Sequence, residues 1–213
     1  MKNQEAGIDS SCLAAYPFRM QDKTSIRDSI LEAALPHVPF DGWLERTLIE
    51  ATLVSGFSET DFRDAFPGGV NDAVLHFSSM VDRRMLESLE GVDQSLLKVR
   101  ERVGLAVKTR LKILQPHKEA TRQAMTYWLM PFREPQAVKA LWWTADRIWV
   151  WAGDTSTDYN RYTKRSLLSG VIASTMLSWF NDNDPDMVKT YDFLDRRIEN
   201  VMNLGRIMGK LRA

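Results

Sequence analysis

At 213 residues the chain has room for one helical domain with a sizeable core. Its 28 Lys and Arg balance 28 Asp and Glu, so no global field recruits nucleic acid or a membrane. The single cysteine, Cys12, excludes an internal disulfide and any CxxC metal or redox site, which suits a reducing compartment. No stretch reaches the roughly 20 apolar residues needed to span a bilayer, so a membrane would be met from the side.

The opening MKNQEAGIDSSCLAAYPFRMQDK lacks the apolar core of a signal peptide and is too acidic for a good presequence. Residues 1–23 read as a loose tail before one all-helical domain, 24–213, divided into a 24–90 part and a 91–213 part. From Ser25 the spacing of Ile26, Ile30, Leu31, Ala34, Leu35 and Val38 predicts a helix that ends near Pro39. A second helix follows over Leu44–Val54, and Ser58 caps a short third one that Pro67-Gly68-Gly69 stops. A fourth helix carries Val70, Val74, Phe77, Val81 and Met85, and the next carries Leu96 to Leu114 until Pro116 closes it.

Beyond His117 the helical pattern breaks at Pro131, restarts after Pro135, runs to Trp151 and gives way to a loop over Gly153–Thr157. Two more helices are predicted, Asp158–Phe180 and Pro185–Leu211, with Asp184 as cap and Pro185 in the first helical position. The expectation is therefore an all-α fold of about nine helices without strands. In the last helix Met187, Tyr191, Leu194, Ile198, Val201, Gly205 and Met208 form a seam suited to packing on the body or on a second copy.

Three short helices followed by a long one, with a glycine in the turn and an aromatic-Pro-Gly-Gly stop, resemble the N-terminal half of tetracycline-repressor-like regulators. A ligand-responsive regulator is accordingly the alternative function. Its charge opposes that reading. Between Asp41 and Val70 the acids Asp41, Glu45, Glu50, Glu59, Asp61 and Asp64 face only Arg46 and Arg63, a net charge of −4. Phosphate contacts supply nearly all non-specific DNA affinity, and acids repel phosphates over a Debye length of about 8 Å. No nucleic-acid partner is expected.

Chemistry is equally thinly marked. Asp72 and His76 share a helix face at i and i+4, but a catalytic zinc needs three protein ligands, and no HExxH, Glu-x-x-His, GxSxG or P-loop string occurs. No catalytic residue, metal or cofactor is assigned. Trp142, Trp143, Trp149 and Trp151 fall within ten residues, with Trp142 and Trp149 on one helix face. They read either as a core helix with one or two exposed rings or as an aromatic surface for lipid or partner. Between Lys98 and Arg122 the bases Lys98, Arg100, Arg102, Lys108, Arg110, Lys112, Lys118 and Arg122 outnumber Glu101 and Glu119, a net of +6. A solvated helix face accounts for them; phospholipid headgroups are the alternative occupant.

From about Ile30 onward the chain resembles the coenzyme Q biosynthesis protein nine family. The resemblance is carried by ILEAALPHVPFDGW, LHF at 75–77, TRLKILQP at 109–116, LMP at 129–131 and, most specifically, WAGDTSTDYNRYTKR at 151–165. It implies a repressor-like fold without DNA binding, homodimers, and a pocket for a lipid or isoprenoid quinone precursor. It also implies presentation of that precursor to the di-iron demethoxyubiquinone hydroxylase, with no catalysis by the chain itself. The expected place is the cytoplasm, at the periphery of a bacterial inner membrane.

By the same resemblance, partner docking maps onto Met130, Pro131, Asp146, Ile148, Asp158, Arg161 and Tyr162. Arg161 departs from the family's NWY segment by putting a charge where a Trp stands. The ending GRIMGKLRA lacks the amphipathic extension that some members carry. A polyprenyl tail gains about 0.8 kcal/mol per buried CH2 and needs no polar chemistry. Leu129, Met130, Phe132, Leu141, Leu168, Val171, Ile172 and Met176 are the expected lining, with Trp142 and Trp149 as the aromatic surface beside it.

Overall fold

The computed structural model describes the backbone of residues 11–157 and 159–211 and the side chains of 23–133, 135–157 and 159–202. Among them are ten α-helices, two 3-10 turns and no strand. One of the ten is a single turn, so the expected number of longer helices is met. The chain forms two compact units, Met1–Ala73 and Val74–Ala213, which places the internal division in the fourth predicted helix rather than at residue 90.

In the first unit, α1 (Ser11–Ala34), α2 (Val38–Asp41), α3 (Glu45–Val54) and α4 (Glu59–Ala65) precede the start of α5 (Val70–Leu89). Helix α1 begins at Ser11, inside the stretch read as a tail. That stretch is polar, but Leu, Ala, Met, Gln and Lys are good helix formers and aperiodicity does not forbid a helix. Its end comes earlier than expected, because Pro36 disfavours helical backbone at the residue before it; Pro39 instead opens α2. Ile30, Leu31, Leu35, Leu48, Phe62 and Phe66 are nearly inaccessible and form the core of this unit.

Local polar bonds set its helix ends. Ser58 accepts from the Asp61 backbone N–H, and the Asp61 carboxylate accepts from the Ser58 N–H at 2.8 Å, a complete capping box. The turn before it needs Gly56 at φ +82, a left-handed conformation that Cβ-bearing residues avoid. Arg27 Nε donates to the Ala65 carbonyl at 2.6 Å, satisfying the end of α4. Asp72, paired with His76 in the sequence reading, accepts from the Gly68 N–H at 2.7 Å.

The second unit holds the rest of α5 with α6 (Val99–Leu114), α7 (Lys118–Trp128), α8 (Glu134–Trp151), α9 (Tyr159–Phe180) and α10 (Val188–Leu211). Helix α9 packs on α8 and α10, and α6 packs on α10 and α8. Met80, Met85, Leu111, Leu114, Ile148, Trp179 and Leu194 are buried at its centre. The α10 seam turns inward: Met187 and Leu194 are buried and Ile198 faces the open side of Gly104 on α6. Gly205 and Met208 lie beyond the residues whose side chains are described.

Helix α10 starts at Val188, so Pro185 is not its first residue. Asp184 still accepts from the N–H groups of Asp186 and Val188. Asp182, 6% exposed, accepts from the Thr190 N–H and hydroxyl. Those bonds, chiefly the one from the Thr190 hydroxyl, hold its carboxyl below the usual carboxylate range against the opposing effect of burial.

The basic stretch Lys98–Arg122 is a solvated face only in part: Lys98, Arg100 and Lys112 are exposed, whereas the other five bases are held against the fold. Arg102 Nη1 donates to the Ala152 carbonyl at 3.0 Å, Arg122 Nη2 to Phe180 at 2.7 Å and Lys118 Nζ to Asp182 at 2.5 Å. Those acceptors are carbonyls at the ends of α8 and α9, where intrahelical donors run out and positive charge is favoured. Lys108 pairs with Asp195 at 2.8 Å, and Arg110 is buried.

Candidate ligand cavity and the aromatic face beside it

Between α5, α6, α7, α8 and α9 lies a cavity of about 310 Å³ within the second unit. Val74 and Phe77 of α5, Leu114 of α6, Ala124, Met125 and Trp128 of α7, Ala137, Val138, Ala140 and Leu141 of α8, and Ala173 and Met176 of α9 form its apolar wall. The many alanines keep the helix backbones close while leaving space that larger side chains would occupy. Leu129 and Val138, 69% and 67% exposed, mark its open rim at the α7–α8 turn.

Leu129, Leu141 and Met176 of the expected lining are on this wall. The others are not. Leu168, Val171 and Ile172 are buried among the helices, on the part of α9 that closes the core. Met130 is exposed, and Phe132 is 95% exposed at φ +70, a left-handed backbone position at the turn that carries its ring outward. What the sequence reading missed are the α5 and α7 walls, whose residues reach the cavity through tertiary packing and leave no local mark.

Part of the lining is polar: Arg110, Ser78, Thr121 and Thr144. Asp82, inaccessible to solvent, accepts from Arg110 Nε at 2.9 Å, from Thr144 Oγ1 at 2.8 Å and from Arg147 Nη1 at 2.8 Å. One carboxylate thus ties α5 to α6 and α8.

The aromatic face lies along α8 and the start of α9. Trp142 stacks on Tyr162 with ring centroids 6.0 Å apart, and Trp149 Nε1 donates to the Lys164 carbonyl at 3.0 Å. Both rings therefore meet α9, as their shared helix face requires, whereas Trp143 is 45% exposed under the Lys139 ammonium.

The 151–165 segment is held by charge. Arg165, 2% exposed, donates Nη1 to Asp154 at 2.9 Å and Nε to Asp146, while Lys164 Nζ reaches Asp154 at 2.7 Å. Burial pushes the Asp154 carboxyl up, but hydrogen bonds from Lys164, Arg165 and Ser156 outweigh it and hold the group far below the usual carboxylate range. Arg161 Nη2 joins Asp146 at 3.2 Å.

Of the expected docking residues, Met130, Pro131, Arg161 and Tyr162 are exposed and Asp146 is half-buried. Ile148 is not a surface contact: it is fully buried, because its side of α8 faces the core. Asp158 lies outside the described residues.

The fold is that of the tetracycline-repressor-like proteins. A crystal structure of the TetR transcriptional regulator from Nitrosomonas europaea ATCC 19718 superposes with a TM-score of 0.68 at 20% identity, covering 84% of this chain and 98% of that one. Residues 134–205 match the COQ9 family model. The ubiquinone biosynthesis protein COQ9, mitochondrial, of Rattus norvegicus is 32% identical over 201 residues, 91% of this chain and 64% of that protein. That of Homo sapiens is 29% identical over 201 residues, 91% of this chain and 63% of that protein. The chain thus resembles the COQ9 proteins of ubiquinone biosynthesis over most of its length and spans just under two thirds of these relatives. Among the described residues no helix is long and apolar enough to cross a membrane, and no group of three His, Cys, Asp or Glu is placed to hold a metal.

Proposed function

We propose that the chain is a non-catalytic lipid-binding accessory protein of ubiquinone biosynthesis. It takes an isoprenoid quinone precursor, or another lipid, into the α5–α9 cavity and presents it to the demethoxyubiquinone hydroxylase. The cavity carries the proposal: at about 310 Å³ it sits at the lower end of the roughly 300–1,000 Å³ typical of ligand pockets, with a mostly apolar wall and few polar groups. A longer isoprenoid tail would leave past Leu129 and Val138. The likeness to COQ9 proteins supplies the pathway.

The docking surface in this proposal is the exposed strip of Met130, Pro131, Arg161 and Tyr162 with Asp146 and Trp142. The protein works as a homodimer in the cytoplasm at the edge of the inner membrane. DNA binding is disfavoured by the −4 charge between Asp41 and Val70.

Lipid extraction and native mass spectrometry of the purified chain, with quinone profiling of a deletion strain, test this function. Co-purifying lipid, its loss on filling the cavity with Ala173→Trp, and accumulation of a demethoxyquinone are expected. A ligand-free protein together with an unchanged quinone pool would refute it.

A further inference from the structure

We infer that the turn between α7 and α8 is a membrane contact. Its apolar side chains enter the headgroup layer of an anionic bilayer and set the cavity's opening against the lipid it draws from. The inference rests on the lipid-binding reading of the cavity and adds the surface through which it loads.

Among the described residues around the cavity only Leu129 and Val138 are exposed, and the others are buried or half-buried. The opening therefore lies between the end of α7 and the first turns of α8. The same turn holds Phe132, 95% exposed at φ +70. A residue with a Cβ adopts that backbone only at a cost, and a ring so exposed gains little packing within the chain to offset it. Leu129, Phe132 and Val138 thus present large apolar side chains from one short stretch, a pattern that marks contact with a membrane or a protein.

Two observations favour the membrane. Arg133 lies over the Tyr127 ring at 3.9 Å and Lys139 over the Trp143 ring at 4.8 Å, and Glu134 is the one acid between Thr126 and Trp143. Aromatic rings beside cations suit the boundary of headgroups and acyl chains, where the ring meets apolar surroundings and the charge meets lipid phosphate. The second is the opening itself. A protein seated on Leu129 and Val138 would cover it before a lipid had entered, and a lipid arriving through water would lose the apolar burial of its chain on the way. Backbone N–H and C=O groups that the turn leaves outside a helix keep the contact in the headgroup layer rather than in hydrocarbon.

Co-sedimentation of the full chain with phosphatidylcholine vesicles, with and without phosphatidylglycerol, tests the contact. The natural chain should bind both, and the anionic vesicles more tightly. Phe132→Asn, which suits the left-handed backbone, should weaken binding to both about tenfold, and Leu129→Ser should act in the same direction. Arg133→Gln combined with Lys139→Gln should weaken binding to the anionic vesicles about tenfold and to phosphatidylcholine alone by less than about twofold. Phe40→Ser replaces a phenylalanine 89% exposed in the first unit and should bind as the natural chain does. Absence of vesicle binding by the natural chain overturns the membrane contact, as does a loss from Phe132→Asn no larger than that from Phe40→Ser. Loss of binding to the purified hydroxylase in Phe132→Asn, with vesicle binding intact, assigns the turn to that protein and also overturns the contact. Native mass spectrometry of the same preparations separates the two readings. A chain that carries lipid but ignores vesicles loses the membrane contact alone, and a chain that binds vesicles but takes up no lipid loses the lipid-binding reading of the cavity.

Discussion

The two units use polar groups in opposite ways. In the first, most polar bonds span three or four residues, as in Ser58–Asp61, Glu59–Arg63 and Gly68–Asp72, and each shapes one helix end or one turn. In the second, Asp82 bonds to Arg110, Thr144 and Arg147, and the bases of α6 and α7 reach carbonyls at the ends of α8 and α9. Local bonds define elements, whereas distant ones hold helices around a space that apolar packing would otherwise close. Of the acids that look like a defect in a DNA reader, Asp61 is thus a cap and Glu59 an ion-pair partner in the first unit, and five of the bases that look like a membrane patch are struts in the second.

That contrast makes Asp82 the most sensitive position. Asp82→Ala leaves Arg110 buried without its carboxylate, and breaking such a pair costs about 3–5 kcal/mol. Urea unfolding should show the loss, together with disappearance of ligand uptake. A loss below about 1 kcal/mol would mean that the network is incidental to the helix arrangement.

Two buried carboxylates give the second unit an acid response. Asp154 and Asp182 have folded pKa values below their unfolded ones. The sign follows: their contribution is fully present above the unfolded value of about 3.9 and is lost as pH falls through the depressed folded values. Asp154→Asn should lower Tm at pH 7, with the gap from the natural chain narrowing below about pH 4. A constant gap across a Tm-against-pH series would assign the effect to geometry rather than to the ionised carboxylate.

Gly153→Ala tests the strut beside that loop. The residue sits at φ +88, and an added Cβ would come within 3.2 Å of Arg102 Nη1, the atom that bonds Ala152. Left-handed backbone costs a Cβ-bearing residue about 1–2 kcal/mol, so a loss of that size in urea unfolding is expected.

What was legible follows the same division. Ser58 as a cap, Pro116 and Pro131 as breaks and the 153–157 loop could be placed because their causes lie within a few residues. The cavity was only partly legible. Leu129, Leu141 and Met176 were named for their apolar side chains, but nothing near Val74, Ala124 or Arg110 in the sequence says that they share a wall. Leu168, Val171 and Ile172 have the same periodicity as wall residues and differ only in which neighbour covers them. Ile148 shows the limit of carrying a surface over from a family resemblance, since its place on α8 turns it inward.

The smallest effect belongs to the first unit. Ser58→Ala removes the acceptor for the Asp61 N–H and half of the capping box, a change worth about 1 kcal/mol at a helix N-terminus. Because the bond is local, the loss should appear as earlier exchange of the α4 amides with solvent, and ligand uptake in the second unit should stay within error. Hydrogen exchange followed by mass spectrometry reads both units in one experiment. Faster exchange confined to α4 upholds the division of labour, and faster exchange of α8 or α9 amides would show that the two units share their stability after all.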